Sequence, residues 1–204
     1  CKAGFEIRDR AHLAQRASSG SSGMSDQTGN FAGKVILITG GTGNIGLATA
    51  SRLAGMGAAV ALLDLDEGRL AEACKGLGTQ DTLAKGYVCN VTSVEDVHKT
   101  INAIISDFGK IDLLFNNAGY QGSFAPLHTY PEDEFARVMQ INVCGAFNVM
   151  KAVSEHMVSR RFGRIVNTAS MAGVQGPPNM AAYAASKFAI VGLTQTASKE
   201  LAPY

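Results

Sequence analysis

The sequence has little that suits a membrane or a nucleic acid. Its longest unbroken apolar run, Ala58 to Leu63, falls far short of the roughly 18 residues a membrane-spanning helix requires. No N-terminal apolar stretch resembles a secretory signal. Charge of one sign is missing too: 18 Lys and Arg stand against 17 Asp and Glu, without the basic excess that phosphate backbones or anionic surfaces recruit. Cysteine is scarce. Cys1, Cys74, Cys89 and Cys144 form no Cys-x-x-Cys pair, and none of His12, His98, His128 and His156 lies at ligand spacing. No metal site is expected, and reduced thiols in a cytoplasmic protein account for the four cysteines. Proline is sparse, five residues against 23 glycines, a balance that fits tight strand-to-helix turns and not disorder.

What is present is enough for one domain: 204 residues, 46% of them apolar. Residues 1–29 differ from the rest. Ser18-Ser19-Gly20-Ser21-Ser22-Gly23 has linker composition and Met24 follows it, so residues 1–23 read as a tag, linker or read-through segment. Arg8, Arg10 and Arg16 would suit a targeting peptide, but Glu6 and Asp9 count against one. The folded domain is expected over 30–204. Within it, short apolar runs at Val35–Ile38, Val60–Leu63, Tyr87–Cys89, Ile111–Phe115 and Arg164–Thr168 mostly lack alternation, as strands buried on both faces do. Amphipathic stretches separate them. Val94, Val97, Ile101, Ile104, Ile105 and Phe108 make one helical stripe, and Ser93 with Asp96 supplies an N-cap signature. Longer helices are expected from about Glu132 to Arg161 and Met180 to Leu201. Right-handed strand-helix-strand crossovers then give a doubly wound, Rossmann-like parallel sheet in three αβα layers.

The first strand runs into Thr39-Gly40-Gly41-Thr42-Gly43-Asn44-Ile45-Gly46. Gly41, Gly43 and Gly46 match Gly-x-Gly-x-x-Gly after a strand and before a helix. Such glycines let backbone approach a pyrophosphate, and the helix start offers unpaired N–H groups and partial positive charge. Asp64 ends the second strand, where a carboxylate accepts both ribose hydroxyls and repels a 2′-phosphate, which favours NAD over NADP. Asn90 ends the third strand and either accepts from an adenine amino group or simply forms a turn. Leu65 and Val91, beside these two, are counted with the cofactor contacts.

A second cluster comprises Ser170, Tyr183 and Lys187. Tyr183 and Lys187 lie one helical turn apart. An ammonium beside a phenol stabilises the phenolate, which makes Tyr183 a usable acid and base. Ser170 follows the fifth strand, at the sheet edge where ligands of such folds bind, and is placed to hydrogen-bond a substrate oxygen.

With Asn116-Asn117-Ala118-Gly119, Asn142 in Ile141-Asn142-Val143, and Tyr183-Ala184-Ala185-Ser186-Lys187, the chain from about Phe31 to Tyr204 resembles the classical branch of the short-chain dehydrogenase/reductase family. The resemblance implies an NAD(P)-dependent enzyme that passes hydride between a nicotinamide and an alcohol or ketone carbon without a metal. It implies Tyr183 as acid/base, Lys187 as its tuner and a ribose contact, Ser170 as the group orienting the substrate oxygen, and Asn142 as holder of a relay water. Asn117, Ala118 and Gly119 would line the cofactor cleft, as would Gly40 through Gly46. The runs Asn116–Gly122, Ser170–Gly173 and Gly176–Ala182 are similar to bacterial xylitol and related polyol dehydrogenases, with Gln121, Met171, Gln175 and Asn179 as substrate-side candidates or plain loop packing. A 3-oxoacyl-carrier-protein reductase shares nearly all these motifs.

Two departures stand out. Asn44 occupies a position where the family's loop usually has glycine, and the spacing Gly40–Gly43–Gly46 also suits sugar-nucleotide epimerase relatives. The family's pattern continues past Tyr204 with two more strands, a cofactor loop and a substrate lid. A truncated fragment that binds dinucleotide weakly is therefore an alternative reading, with homo-oligomers expected of the longer form.

Overall fold

The computed structural model describes residues 30–77 and 83–204. The readings of residues 1–29 lie outside the described residues. Five strands form one all-parallel sheet: β1 (Val35–Thr39), β2 (Ala59–Asp64), β3 (Ala84–Val88), β4 (Leu113–Asn116) and β5 (Arg164–Asn167), in the order β3-β2-β1-β4-β5. The order reverses between β1 and β4, so the helices after these strands leave on opposite faces and a crevice opens at the strand ends.

The central strand shows the layering. Ile36 and Ile38 face one side with Val60, Leu62, Ala50 and Leu70, under helices α1 (Asn44–Ala54) and α2 (Glu67–Leu77). Leu37 faces the other side with Leu63, Val97, Ile101, Val149 and Val153, under α3 (Val94–Phe108) and α5 (Ala146–Arg160). Each fully buried aliphatic side chain contributes roughly 1.5–3 kcal/mol, so two such layers hold the sheet from both faces. The final helix, α6 (Ala181–Leu201), lends Leu193 and Ala197 to the second layer.

The stripe on α3 forms as the spacing predicts, with Ser93 Oγ accepting from Asp96 N and Gly109 closing the C-terminus at φ 75°. Val94 is the exception: it is exposed, because the cap turns the first helical residue outward. Three other expectations are corrected. β3 begins at Ala84 and ends before Cys89, so Asn90 stands in the loop two residues past it. Neither β3 nor β5 is buried on both faces; they are the two edge strands, and Val88 and Val166 are exposed. The helix expected over Glu132–Arg161 is two helices, α4 (Glu132–Met139) and α5, joined by a π-helical turn at Gln140–Gly145.

Candidate active site

The phosphate-loop glycines divide the work differently from the motif reading. Gly40 adopts φ 62°, the left-handed region that favours glycine. A Cβ on Gly41 would sit 2.9 Å from Leu62 Cβ, so Gly41 lets the loop lie flat on β2 and does not face the cleft. A Cβ on Gly46 would come 2.3 Å from the Gly40 carbonyl oxygen, so only glycine lets α1 pack this closely behind its own loop. Asn44 is the first residue of α1 and carries no positive φ. Its substitution for glycine therefore needs no unusual backbone angle. Among the described residues, α1 has no side-chain cap, and Asn44, Ile45 and Gly46 donate no backbone hydrogen bond. These are the free donors that an anion at a helix start requires.

Asp64 closes one end of an open cleft of about 660 Å³, together with Thr42, Leu65, Asn90, Val91 and Ala118. Its Oδ2 accepts from Thr42 N at 3.0 Å and Thr42 Oγ at 2.6 Å, and its Oδ1 from Leu65 N at 2.8 Å. Burial raises the Asp64 pKa, but the Thr42 and Leu65 bonds and the Arg69 guanidinium outweigh it and hold the carboxyl below the usual carboxylate range. Arg69 was missed in the sequence. It donates to the Thr42 carbonyl at 2.8 Å and lines the same cleft. Nothing in a motif marks it, since only the fold brings the first turn of α2 over the loop. Asn90 Oδ1 accepts from Thr92 N and Thr92 Oγ, which makes a turn, and the residue lines the same cleft.

The Asn116–Gly119 run is a brace. Thr39 Oγ donates to Asn116 Oδ1 and accepts from the backbone N–H groups of Asn117 and Ala118, both at 2.9 Å. Asn117 Nδ2 donates to the Thr39 and Gly40 carbonyls. On its other side, Asn117 Oδ1 accepts from Thr168 Oγ, and the Thr168 carbonyl accepts from Lys187 Nζ at 2.7 Å. A continuous chain of contacts thus runs from the phosphate loop through Asn117 and Thr168 to Lys187.

Lys187 is buried, points at the end of β5 and lies 5.5 Å from the centre of the Tyr183 ring. Burial lowers its pKa. Among the described residues the Tyr183 hydroxyl has no hydrogen-bond partner. Ser170 Oγ accepts from Ala172 N at 3.2 Å, capping the short 3-10 turn Met171–Gly173. A Cβ on Gly173 would meet the Lys187 carbonyl at 2.9 Å, so this turn packs directly on the helix that carries Tyr183 and Lys187.

Asn142 is fully buried and heavily used. Its Oδ1 accepts from Tyr120 N at 2.7 Å, and its Nδ2 donates to Tyr120 O and to Ser186 Oγ. The side chain pins the π-helical turn to the loop after Gly119 and to α6. Both Nδ2 hydrogens of Asn142 are thus used within the protein. Of the substrate-side candidates, Gln121, Met171 and Gln175 are exposed. Asn179 adopts φ 65° and its carbonyl accepts from Ala125 N, so it serves as a turn.

A parallel sheet with an uncapped helix start, a carboxylate at the second strand end and a Tyr–Lys pair at the fifth defines a dinucleotide-fold oxidoreductase class. A model of the family described as short chain dehydrogenase matches residues 34–204, and the chain belongs to that family. A solved NAD+-bound xylitol dehydrogenase is 60% identical, with a TM-score of 0.84, and the match covers 86% of this chain and 67% of that one. The 2-dehydro-3-deoxy-L-rhamnonate dehydrogenase (NAD(+)) of Sphingomonas sp. is 38% identical over 88% of this chain and 70% of its own length. The 3-oxoacyl-[acyl-carrier-protein] reductase of Thermotoga maritima is 37% identical over 83% of this chain and 69% of its own. The chain spans between 63% and 70% of the length of the first curated relatives it matches.

Proposed function

We propose that this site oxidises a secondary alcohol, or reduces the matching ketone, with NAD, and that the substrate is a polyol of the xylitol kind. The observation that carries the reading is the hydrogen-bonded chain from Gly40 through Asn117 and Thr168 to Lys187, with the free Tyr183 hydroxyl one turn away. The uncapped start of α1 and the Asp64 carboxylate fit a dinucleotide's pyrophosphate and ribose. When bound, the nicotinamide supplies the hydride acceptor or donor. Tyr183 takes the alcohol proton during oxidation and returns it during reduction. The Lys187 ammonium stabilises the phenolate form and is held in place by the Thr168 carbonyl. Ser170 donates its hydroxyl hydrogen to the substrate oxygen, since its own oxygen already caps Ala172 N. Asn142 contributes by positioning: it ties Tyr120 and Ser186 together around the site.

The 60% identity with the xylitol enzyme and the Asp64 carboxylate favour an NAD-linked polyol over an acyl thioester with NADP. Residues 1–29 are an extension to the domain at 30–204, and the setting is the cytoplasm, with Cys74, Cys89 and Cys144 as free thiols. Among the described residues no helix is long and apolar enough to cross a membrane. We infer assembly as a homo-oligomer through the exposed helix faces, where Phe147 and Phe188 stand out. The test is NADH formation from NAD and a panel of pentitols and hexitols, beside NADPH oxidation with an acetoacetyl thioester. Polyol-dependent NADH supports the reading; turnover confined to the thioester with NADPH overturns it.

A further inference from the structure

A carboxylate with no part in the proposed reaction holds the loop after β4. Glu134 stands in the first turn of α4, with 18% of its side chain exposed. Its Oε2 accepts from the Tyr120 hydroxyl at 2.9 Å, and the Ser123 hydroxyl reaches the same oxygen at 3.4 Å. Its Oε1 lies 3.5 Å from Arg137 Nη1, and that guanidinium stacks over the Tyr120 ring, 4.7 Å from its centre. The bond to Glu134 raises the Tyr120 pKa, so this phenol stays a neutral donor. Between the two hydroxyls, Gly122 adopts φ 74° and lies flat on α4: a Cβ there would come 2.5 Å from Val138 Cγ2 and 2.9 Å from the Tyr130 hydroxyl. The ends of the loop are fixed as well. Gly119 and Tyr120 line the cofactor cleft, and the Tyr120 backbone is bonded to Asn142. At the far end, Ala125 N donates to the carbonyl of Asn179, four residues before Tyr183.

A reacting alcohol must lie between the nicotinamide and the Tyr183 hydroxyl. A segment that crosses from the cofactor cleft to the start of α6 therefore walls the substrate side. Resting on the function proposed above, we propose that Glu134 is a positioning residue for substrate recognition: its carboxylate clamps residues 120–124 as that wall and fixes where Gln121 stands. Gln121 is exposed, and its amide both donates and accepts, which suits the hydroxyls of a polyol beyond the one being oxidised. A wall held in place before the substrate arrives spares the cost of ordering it on binding. Glu134 bonds to the loop and to its own helix, so its contribution falls on affinity for the polyol and not on the chemical step.

The experiment compares the wild type with Glu134→Ala, Glu134→Gln, Tyr120→Phe, Gln121→Ala and the double variant Glu134→Ala with Gln121→Ala. Amide hydrogen exchange is read in the free protein, steady-state kinetics with NAD and xylitol, and NAD+ Kd by calorimetry. In Glu134→Ala, exchange at 121–124 should quicken by about tenfold, and KM for xylitol should rise by about tenfold. Its kcat and NAD+ Kd should stay within about threefold of the wild type. Glu134→Gln keeps an acceptor for the Tyr120 hydroxyl and loses the charge opposite Arg137; it should restore most of both properties. Tyr120→Phe keeps the ring under Arg137 and the backbone bonds to Asn142, and should show part of the rise in KM. The double variant should be no worse than the larger single effect, because both changes act through Gln121. An unchanged KM or unchanged loop exchange in Glu134→Ala overturns the proposal. So do additive effects in the double variant, a Glu134→Gln protein that behaves like Glu134→Ala, and losses of kcat and NAD+ affinity that accompany the rise in KM, the mark of a merely structural role. A wild type without polyol-dependent NADH formation removes the function reading and this inference with it, an outcome distinct from all of these.

Discussion

At the residue scale, the side chains that matter most are those with several obligations at once. Asn142 satisfies the N–H and the carbonyl of Tyr120 and the hydroxyl of Ser186 from a fully buried position. Removing it leaves buried polar groups without partners, each at about 1–3 kcal/mol. Asn142→Ala should therefore lower the unfolding free energy by roughly 3 kcal/mol, read from urea denaturation. An unchanged midpoint would show that the network carries no load. Gly46→Ala should be worse for binding than for folding. The added methyl meets the Gly40 carbonyl oxygen, pushes α1 off its loop and disorganises the N–H donors at the helix start, which are proposed to hold the pyrophosphate. NAD affinity should fall by at least about tenfold in calorimetry. Tyr183, Lys187 and Ser170 were legible from the sequence because their chemistry is tied to fixed spacing. The functions of the individual loop glycines were not, because φ and close approach exist only in the folded backbone. Arg69 was illegible for the same reason.

At the element scale, the strands and amphipathic helices follow from hydrophobic period, and the parallel order follows from the crossovers. Local pattern misleads where tertiary structure overrides it. The helical period over Glu132–Arg161 is unbroken, yet six residues at Gln140–Gly145 wind as a π-helical turn. Asn142 sits in that turn, and its three hydrogen bonds to partners outside the turn accompany the local unwinding. Burial on both faces fails at β3 and β5, because a strand's place in the sheet, centre or edge, is not written in its own residues.

At the sheet's other end, Asp112 bolts three elements together: it accepts from Val35 N, Arg160 and Lys110 while almost fully buried. Burial raises its pKa, but the Val35, Arg160 and Lys110 interactions together hold it below the usual value. Nearby, His156 Nε2 accepts from Ile111 N, and burial, with Arg160, lowers its pKa. Both groups bind fewer protons folded than unfolded, so both make stability fall as pH falls. His156 acts below about pH 6.5 and Asp112 below about pH 4. Urea midpoints should decline from pH 7 to pH 5, and His156→Gln should flatten that decline. A midpoint that rises on acidification would contradict the assignment. Asp112→Asn should cost about 2–4 kcal/mol at neutral pH by stranding Arg160 and Lys110.

At the scale of the whole molecule, residues 30–204 place β5 at one edge of the sheet, with Val166 exposed and an apolar hollow of about 270 Å³ beside it, between Met150, Met157, Ile165 and Leu201. An open strand with apolar neighbours invites pairing with another chain. The 204-residue polypeptide should self-associate in sedimentation velocity, and Val166→Lys should reduce that association. Equal association in both would place the contact elsewhere. The fold class and the motifs that mark the two halves of the site were readable in the sequence, because each is anchored to a strand end. What joins the halves, the relay of contacts through Asn117 and Thr168, emerges only from the assembled sheet. The central claim is that this sheet edge brings a lysine-tuned phenol to a bound NAD. Single-turnover NADH formation from a polyol, measured beside NAD affinity in Tyr183→Phe, tests it most directly. The account predicts a rate lower by about 10²–10⁴-fold with NAD affinity within about threefold of the wild type. A variant that turns over at the wild-type rate would contradict it.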